Sequence, residues 1–224
     1  MEEYLRSTEF MDSDSGEIMD FARSRAWGAA DKVGKAIRLY FAVRDEVRYD
    51  PYRMDLSRQG FKASTTLLRG YGFCVAKAVL LAAAGRAEGI PTRLRFADVR
   101  NHLTTERLKR LMGSDVFFFH GYTEFFLRDR WVKATPTFNV SLCQRFNVRP
   151  LDFDGEHDAI FHEFDQSGNR HMEYLRDHGS YADLPYDKVI EVLSTYYSAS
   201  LKPESPEAGG DFEAEAALEK ARGS

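Results

Sequence analysis

The segment CVAKAVLLAAAGRAEGIP, residues 74–91, constrains this chain more than any other. Alanine and leucine favour helix while Gly89 and Pro91 stop one, so the segment predicts a single helix with Cys74 at its start. A helix that is apolar on nearly every side has to be buried, and the rest of the chain must wrap it. Its longest apolar run, AVLLAAAG, falls well short of the roughly 20 residues a membrane span needs. The N-terminal MEEYLRSTEF is acidic and has no basic start followed by an apolar run, so it does not read as an export signal.

The remaining composition can supply the wrapping. The 224 residues are 43% apolar and 13% aromatic, enough for one large domain with appended segments. Lys and Arg number 31 against 35 for Asp and Glu, a net charge of −4, which gives no overall attraction to nucleic acid or to an anionic membrane. Two cysteines, Cys74 and Cys143, are too few for a disulfide framework or a four-thiolate zinc site, so a reducing, cytoplasmic setting is expected.

Residues 1–30 read as an N-terminal segment with a helix near Gly16 to Arg25, and residues 31–200 as the main domain. Asp31 can cap a helix carrying Val33, Ile37, Tyr40, Phe41 and Val47 at helical spacing and ending before Pro51. After the central helix, TRLRFADV alternates polar and apolar residues as a half-buried strand. A short helix follows from about Thr105 to Met112, capped by Thr104 or Thr105 and ended by Gly113. VFFFHGYTEFFL and RWVKATPTFN, parted by Arg128 and Asp129, predict a β-hairpin. Residues 150–200 are mixed, with a helix at Tyr186 to Tyr197. Residues 201–224 read as a mobile, dispensable tail in which a short helix within AALEKA has too little apolar surface to dock. Helices followed by an antiparallel sheet make the fold class α+β.

A thiol at a helix N-terminus faces unpaired N–H groups and the positive end of the macrodipole, which lowers its pKa and makes it a candidate nucleophile. It then needs a base. Of the six histidines, His120 stands apart because it interrupts the aromatic strand FFFHGYTEFF, where an unpaired imidazole would cost about 1–3 kcal/mol. A two-residue turn at Arg128-Asp129 makes cross-strand residue numbers sum to 257. His120 then faces Thr137, with Thr135 and Asn139 as diagonal neighbours on the same sheet face. A three-residue turn would send those two to the opposite face.

GYGFCVAKAVLLAAAGRAEGIPTRLRFADV, followed by HGYTEFFLRDRWVKATPTFN, resembles the transglutaminase-like superfamily of papain-related thiol enzymes, over about residues 30–145. The resemblance implies a papain- or transglutaminase-like core with N-terminal helices, a central helix opened by the nucleophilic cysteine, and an antiparallel sheet. It implies Cys74 as nucleophile and His120 as base. The third member, usually Asp just ahead of Pro, is held here by Thr135. A hydroxyl bond is worth about 0.5–1.5 kcal/mol against about 1.5–3 kcal/mol for a charge-assisted one, so Thr135 would orient the imidazole more weakly. Asn139 is a second candidate, because an amide fills that role in the Cys-His-Asn variant, and Asp98 is a third.

The activity implied is acyl transfer or hydrolysis on an amide, ester or peptide substrate through an acyl-enzyme. The Cys74 N–H would serve as oxyanion donor and Tyr71 as a possible second, although a packing role for Tyr71 reads more simply. The resemblance implies no cofactor, and no calcium-loop pattern occurs. No nucleic-acid or membrane partner is expected. The residues after Pro150 resemble an extension found in a bacterial subgroup, and Arg100 to Ser114 is a candidate lid or substrate wall. Two other readings compete. One is a catalytically degenerate binding or scaffolding module, with Thr135 as the mark of lost catalysis. The other is a metal site built from HDAIFH, His171 and His178 with Asp158, Glu163 or Asp165, although a five-residue His spacing does not share a helix face.

Overall fold

The computed structural model describes residues 1–103, 105–197 and 212–222. Helix α1 (Gly16–Ala26) begins where the Ser15 side chain accepts the Ile18 N–H. Helix α2 (Lys32–Glu46) begins where Asp31 Oδ1 accepts the Gly34 N–H at 2.8 Å. The two-residue strands β1 (Arg48–Tyr49) and β2 (Tyr71–Gly72) pair in parallel, flanking α3 (Ala63–Arg69). The central helix, α4, runs Cys74–Ala87, and thirteen of its residues from Cys74 to Arg86 are buried. That even burial is what a helix without a polar face requires.

A four-stranded antiparallel sheet covers α4. It is built from β3 (Thr92–Asn101), β4 (Val116–Leu127), β5 (Arg130–Ala134) and β6 (Met172–Tyr181), in the order β5-β4-β3-β6. Between β3 and β4 lies α5 (Glu106–Met112), capped by Thr105 and ended at Gly113; the alternative cap, Thr104, lies outside the described residues. Helix α6 (Val140–Arg145) follows the hairpin, and α7 (Tyr186–Tyr196) packs on β4. The architecture is α+β, with helices on one sheet face and α4 between helices and sheet. Among the described residues, no helix is long and apolar enough to cross a membrane.

The hairpin register matches the two-residue turn. Arg128 and Asp129 both take positive φ, 47° and 62°, as a type I′ turn demands, and the pairs run from Leu127 with Arg130 to Thr123 with Ala134. The second strand is shorter than RWVKATPTFN suggests. Pro136 has no N–H for the ladder, and the Thr135 N–H turns to the Ala159 carbonyl instead.

Two elements differ from the sequence reading. The edge strand β6 was not anticipated, because MEYLRDHGSY is polar and half exposed and its pairing with β3 is long-range. At the C-terminus, residues 198–211 lie outside the described residues, but Phe212–Arg222 forms a docked helix, α8, where a mobile tail was expected. Its anchor is the aromatic Phe212, 3% exposed, which sits edge-on to Tyr49 and Tyr52. Glu215 then accepts the Tyr52 hydroxyl at 2.5 Å and pairs with Arg107 of α5. The alanine-rich part alone is too weak to dock, and the residues just before it supply the hold.

Candidate active site

Cys74 is the first residue of α4 and retains 8% of its surface exposed. Gly121, on β4, passes so close to the helix start that a Cβ there would meet Val75 Cα at 3.2 Å and Phe96 Cε1 at 3.1 Å. This approach lets the Gly121 N–H reach the thiol, alongside the N–H groups of Val75 and Cys74. The sequence reading placed no weight on Gly121, though a glycine directly after the candidate base was its available signal.

These N–H groups favour a thiolate, but burial outweighs them and pushes the Cys74 thiol up to about 11. The expectation that the helix N-terminus would lower this pKa therefore does not hold for the unliganded protein. The macrodipole contributes at most about 2 kcal/mol, less than the cost of enclosing a thiolate among Phe73, Phe119 and Leu193.

His120 is 3% exposed, and burial drives its pKa down to about 3. On β4 the residues facing α4 are Gly121, Thr123, whose hydroxyl donates to the Ala78 carbonyl at 2.8 Å, and Phe125, which lies against Gly85. Strand alternation accordingly turns His120 and Tyr122 to the other face. The imidazole packs 5.1 Å from the Phe161 ring, and its Nε2 has no hydrogen-bond partner among the described residues. It lines a small cavity of about 10 Å³ together with Thr137, Phe138 and Tyr49. Tyr49 and Phe117 also line the pocket at Cys74, so the thiol and imidazole occupy adjoining pockets across a shared wall.

The candidates for the third position separate. Thr135 is 1% exposed; its carbonyl accepts the Tyr40 hydroxyl at 3.2 Å, while its own hydroxyl, near the Tyr174 phenol, makes no well-formed hydrogen bond. Thr137, the residue facing His120 in the extrapolated register, shares the imidazole's cavity, and its hydroxyl is likewise unpaired. Asn139 is committed elsewhere: its Oδ1 accepts the Tyr49 N–H at 3.3 Å and its Nδ2 donates to Ser141 at 2.6 Å. So is Asp98, whose Oδ1 meets His178 Nε2 at 2.8 Å and accepts the Phe119 N–H at 2.9 Å.

Asp98 lies inside β3 at a β-bulge, where register is lost between Ala97 and Val99 and Phe119 takes φ 57°. A non-glycine residue in that region is uncommon and marks local strain next to the candidate base. Tyr71, the possible second oxyanion donor, holds its ring under the Arg53 guanidinium at 4.2 Å and is not among the residues lining the Cys74 pocket.

Two of the proposed metal ligands, His162 and His171, line one pocket, while others are held elsewhere. His157 pairs with Asp154 at 2.7 Å, His178 with Asp98, and Asp158 accepts the Lys133 N–H at 2.9 Å. Among the described residues, no group of three or more His, Cys, Asp or Glu side chains is placed to hold a metal ion.

A family profile described as "Transglutaminase-like superfamily" matches residues 20–136, just over half of the chain. A search of curated proteins returned no match. Among solved structures, one from Cytophaga hutchinsonii named a "putative cysteine protease" aligns at 16% identity and a TM-score of 0.47, covering 80% of this chain and 53% of its own. One from Parabacteroides distasonis ATCC 8503 named a "putative protease" aligns at 16% identity and a TM-score of 0.39, covering 57% of this chain and 24% of its own. The chain thus spans about half of the first and a quarter of the second.

Proposed function

Because the chain belongs to the transglutaminase-like superfamily, we propose that it is a cysteine-dependent acyl transferase or hydrolase in which Cys74 is the nucleophile and His120 the general acid–base. The observation carrying this reading is the thiol at the first position of α4, under the N–H of the residue that directly follows His120. In the unliganded protein both groups are neutral and lie in adjoining pockets, so the reaction requires the shared wall of Tyr49 and Phe117 to part, letting the thiol proton move to His120 as Sγ attacks the carbonyl carbon of an amide. The carbonyl electron pair shifts to oxygen, where the N–H of Cys74 can donate. The C–N bond then breaks, and His120 returns the proton to the departing amine, leaving a thioester. Water, or a second amine, adds to that thioester while His120 takes its proton and delivers it to the departing sulfur. The acid or the new amide is released. Thr135, with Thr137 beside it, supplies hydroxyls in place of the usual carboxylate. Residues 31–200 form the transglutaminase-like domain, acting on an amide, ester or peptide substrate. Two buried free thiols fit a reducing compartment, the cytoplasm.

A second reading has its own support. The threonine at position 135, together with an imidazole Nε2 that nothing holds, suits a catalytically degenerate binding or scaffolding module. Intact-protein mass spectrometry after incubation with a panel of acyl amides and thioesters separates the two. The enzyme reading expects an acyl adduct on Cys74 that vanishes in Cys74→Ala, and the binding-module reading expects no adduct on either protein. A resting neutral thiol also means that iodoacetamide labels Cys74 in the free protein more slowly than a model thiol at pH 7.

A further inference from the structure

A pocket of about 50 Å³ opens against Cys74. Phe73 and Phe119 flank the thiol, Leu108 and Met112 come from α5, and Leu193 and Tyr197 come from the C-terminal part of α7. Among the described residues, none of the side chains lining the wall is charged. The polar atoms its side chains contribute are the thiol itself and the hydroxyls of Tyr49 and Tyr197. That of Tyr197 is already engaged, accepting the Phe118 N–H at 2.6 Å and donating to the Val116 carbonyl at 3.4 Å. A carboxamide or carboxylate entering here would lose its hydration with little to replace it, whereas an apolar group gains by leaving water.

The nucleophile fixes which part of a substrate occupies the pocket. A carbonyl carbon in contact with Sγ has its oxygen at the N-terminus of α4, its leaving group on one side and its acyl substituent on the other. The accessible volume of about 50 Å³ is on the scale of one side chain and too small for a long acyl chain. We propose that this pocket selects acyl donors whose carbonyl carries a compact apolar substituent, a leucyl or phenylalanyl residue, and rejects glutaminyl and glutamyl donors. The proposal rests on Cys74 being the nucleophile.

The test compares N-acetyl-aminoacyl 4-nitroanilides bearing Leu, Phe, Gln or Glu. The expected kcat/KM for Leu and Phe exceeds that for Gln and Glu by at least about tenfold, within the roughly 10–200-fold that a pocket contact commonly supplies. Equal rates, or preference for Gln, overturn the proposal while leaving thiol catalysis intact. Calorimetric titration of Cys74→Ala with N-acetyl-leucinamide and N-acetyl-glutaminamide tests the pocket without chemistry. Tighter binding of the leucine ligand supports the apolar selectivity of the pocket; if wild type then turns over nothing, the enzyme reading fails and the acyl-donor role fails with it, whereas no binding preference overturns the selectivity itself. Leu193→Ala, which enlarges the pocket, is expected to shift preference from Leu toward Phe in the same titration on the Cys74→Ala background. An unchanged ratio counts against the assignment, and circular dichroism establishes that the variant is folded.

Discussion

At the residue scale, the proposed site turns on Gly121 and on the threonine at position 135. Gly121→Ala puts a Cβ 3.2 Å from the Val75 backbone, so α4 must retreat by a few tenths of an ångström and the N–H on the thiol is misplaced. Because misplacement by 1 Å can cost on the order of 10²-fold in rate, acylation of Cys74 should fall about tenfold with little loss of melting temperature, measurable by single-turnover mass spectrometry. Thr135→Asp restores the carboxylate that the superfamily usually carries. On the enzyme reading it should raise the rate of acyl-enzyme formation about tenfold, the difference between a charge-assisted and a neutral hydrogen bond; an unchanged rate would mean that position 135 does not orient His120. Asp98 does different work. It holds the strained Phe119 N–H and His178 together, so Asp98→Ala should destabilise the fold by about 1–3 kcal/mol in urea titration.

At the element scale, α4 fits closely against the sheet. A Cβ on Gly85 would lie 2.6 Å from Thr92 Cγ2 and 2.7 Å from Phe125 Cε1, so Gly85→Ala should cost about 1–3 kcal/mol by overpacking, read as a lowered denaturation midpoint. The hairpin was legible because its information is local: Arg128-Asp129 sets the turn, and the turn sets the register as far as Thr123 with Ala134; Thr137, past the end of that ladder, lines His120's cavity. Edge strand β6 was not legible, since its pairing with β3 joins residues more than seventy positions apart and its own residues are polar. Helix α8 reaches back to Tyr49, Tyr52 and Arg107, which line or support the Cys74 pocket. Ending the chain at Tyr197 should therefore lower the melting temperature and speed alkylation of Cys74; an unchanged labelling rate would return α8 to the status of a dispensable tail.

At the scale of the whole molecule, the buried titratable groups set how stability varies with pH. His120 and His171 titrate at about 3 and about 4 in the folded chain, below their ordinary 6.5, because burial disfavours the imidazolium. The unfolded chain therefore binds protons first, and stability falls as pH drops below 6.5. Lys77, wholly buried, donates to the Arg44 and Val47 carbonyls at 2.9 and 2.6 Å, and burial lowers its pKa to about 7 from 10.5. Its contribution is likewise lost as pH falls from 10.5 through 7. Cys74 and Cys143, both raised from 9.0 to about 11 by burial, act in reverse and remove stability above pH 9. Each group supplies a slope of up to ~1.4 kcal/mol per pH unit. The stability maximum should lie near pH 9, where the rise from Lys77 meets the larger fall from the two thiols, and Lys77→Met should flatten the rise above 7; both are measurable by urea titration across pH. The sequence by itself determined the buried helix that starts at Cys74, the hairpin with its register and the α+β class, because apolar periodicity, turn residues and helix stops act over a few neighbouring positions. Tertiary structure alone decided the protonation of the thiol and imidazole, the commitment of Asn139 and Asp98 to other partners, and the apolar pocket beside Cys74. Each depends on burial by segments distant in the chain, and the solvation cost of a charge is set by everything that packs around it.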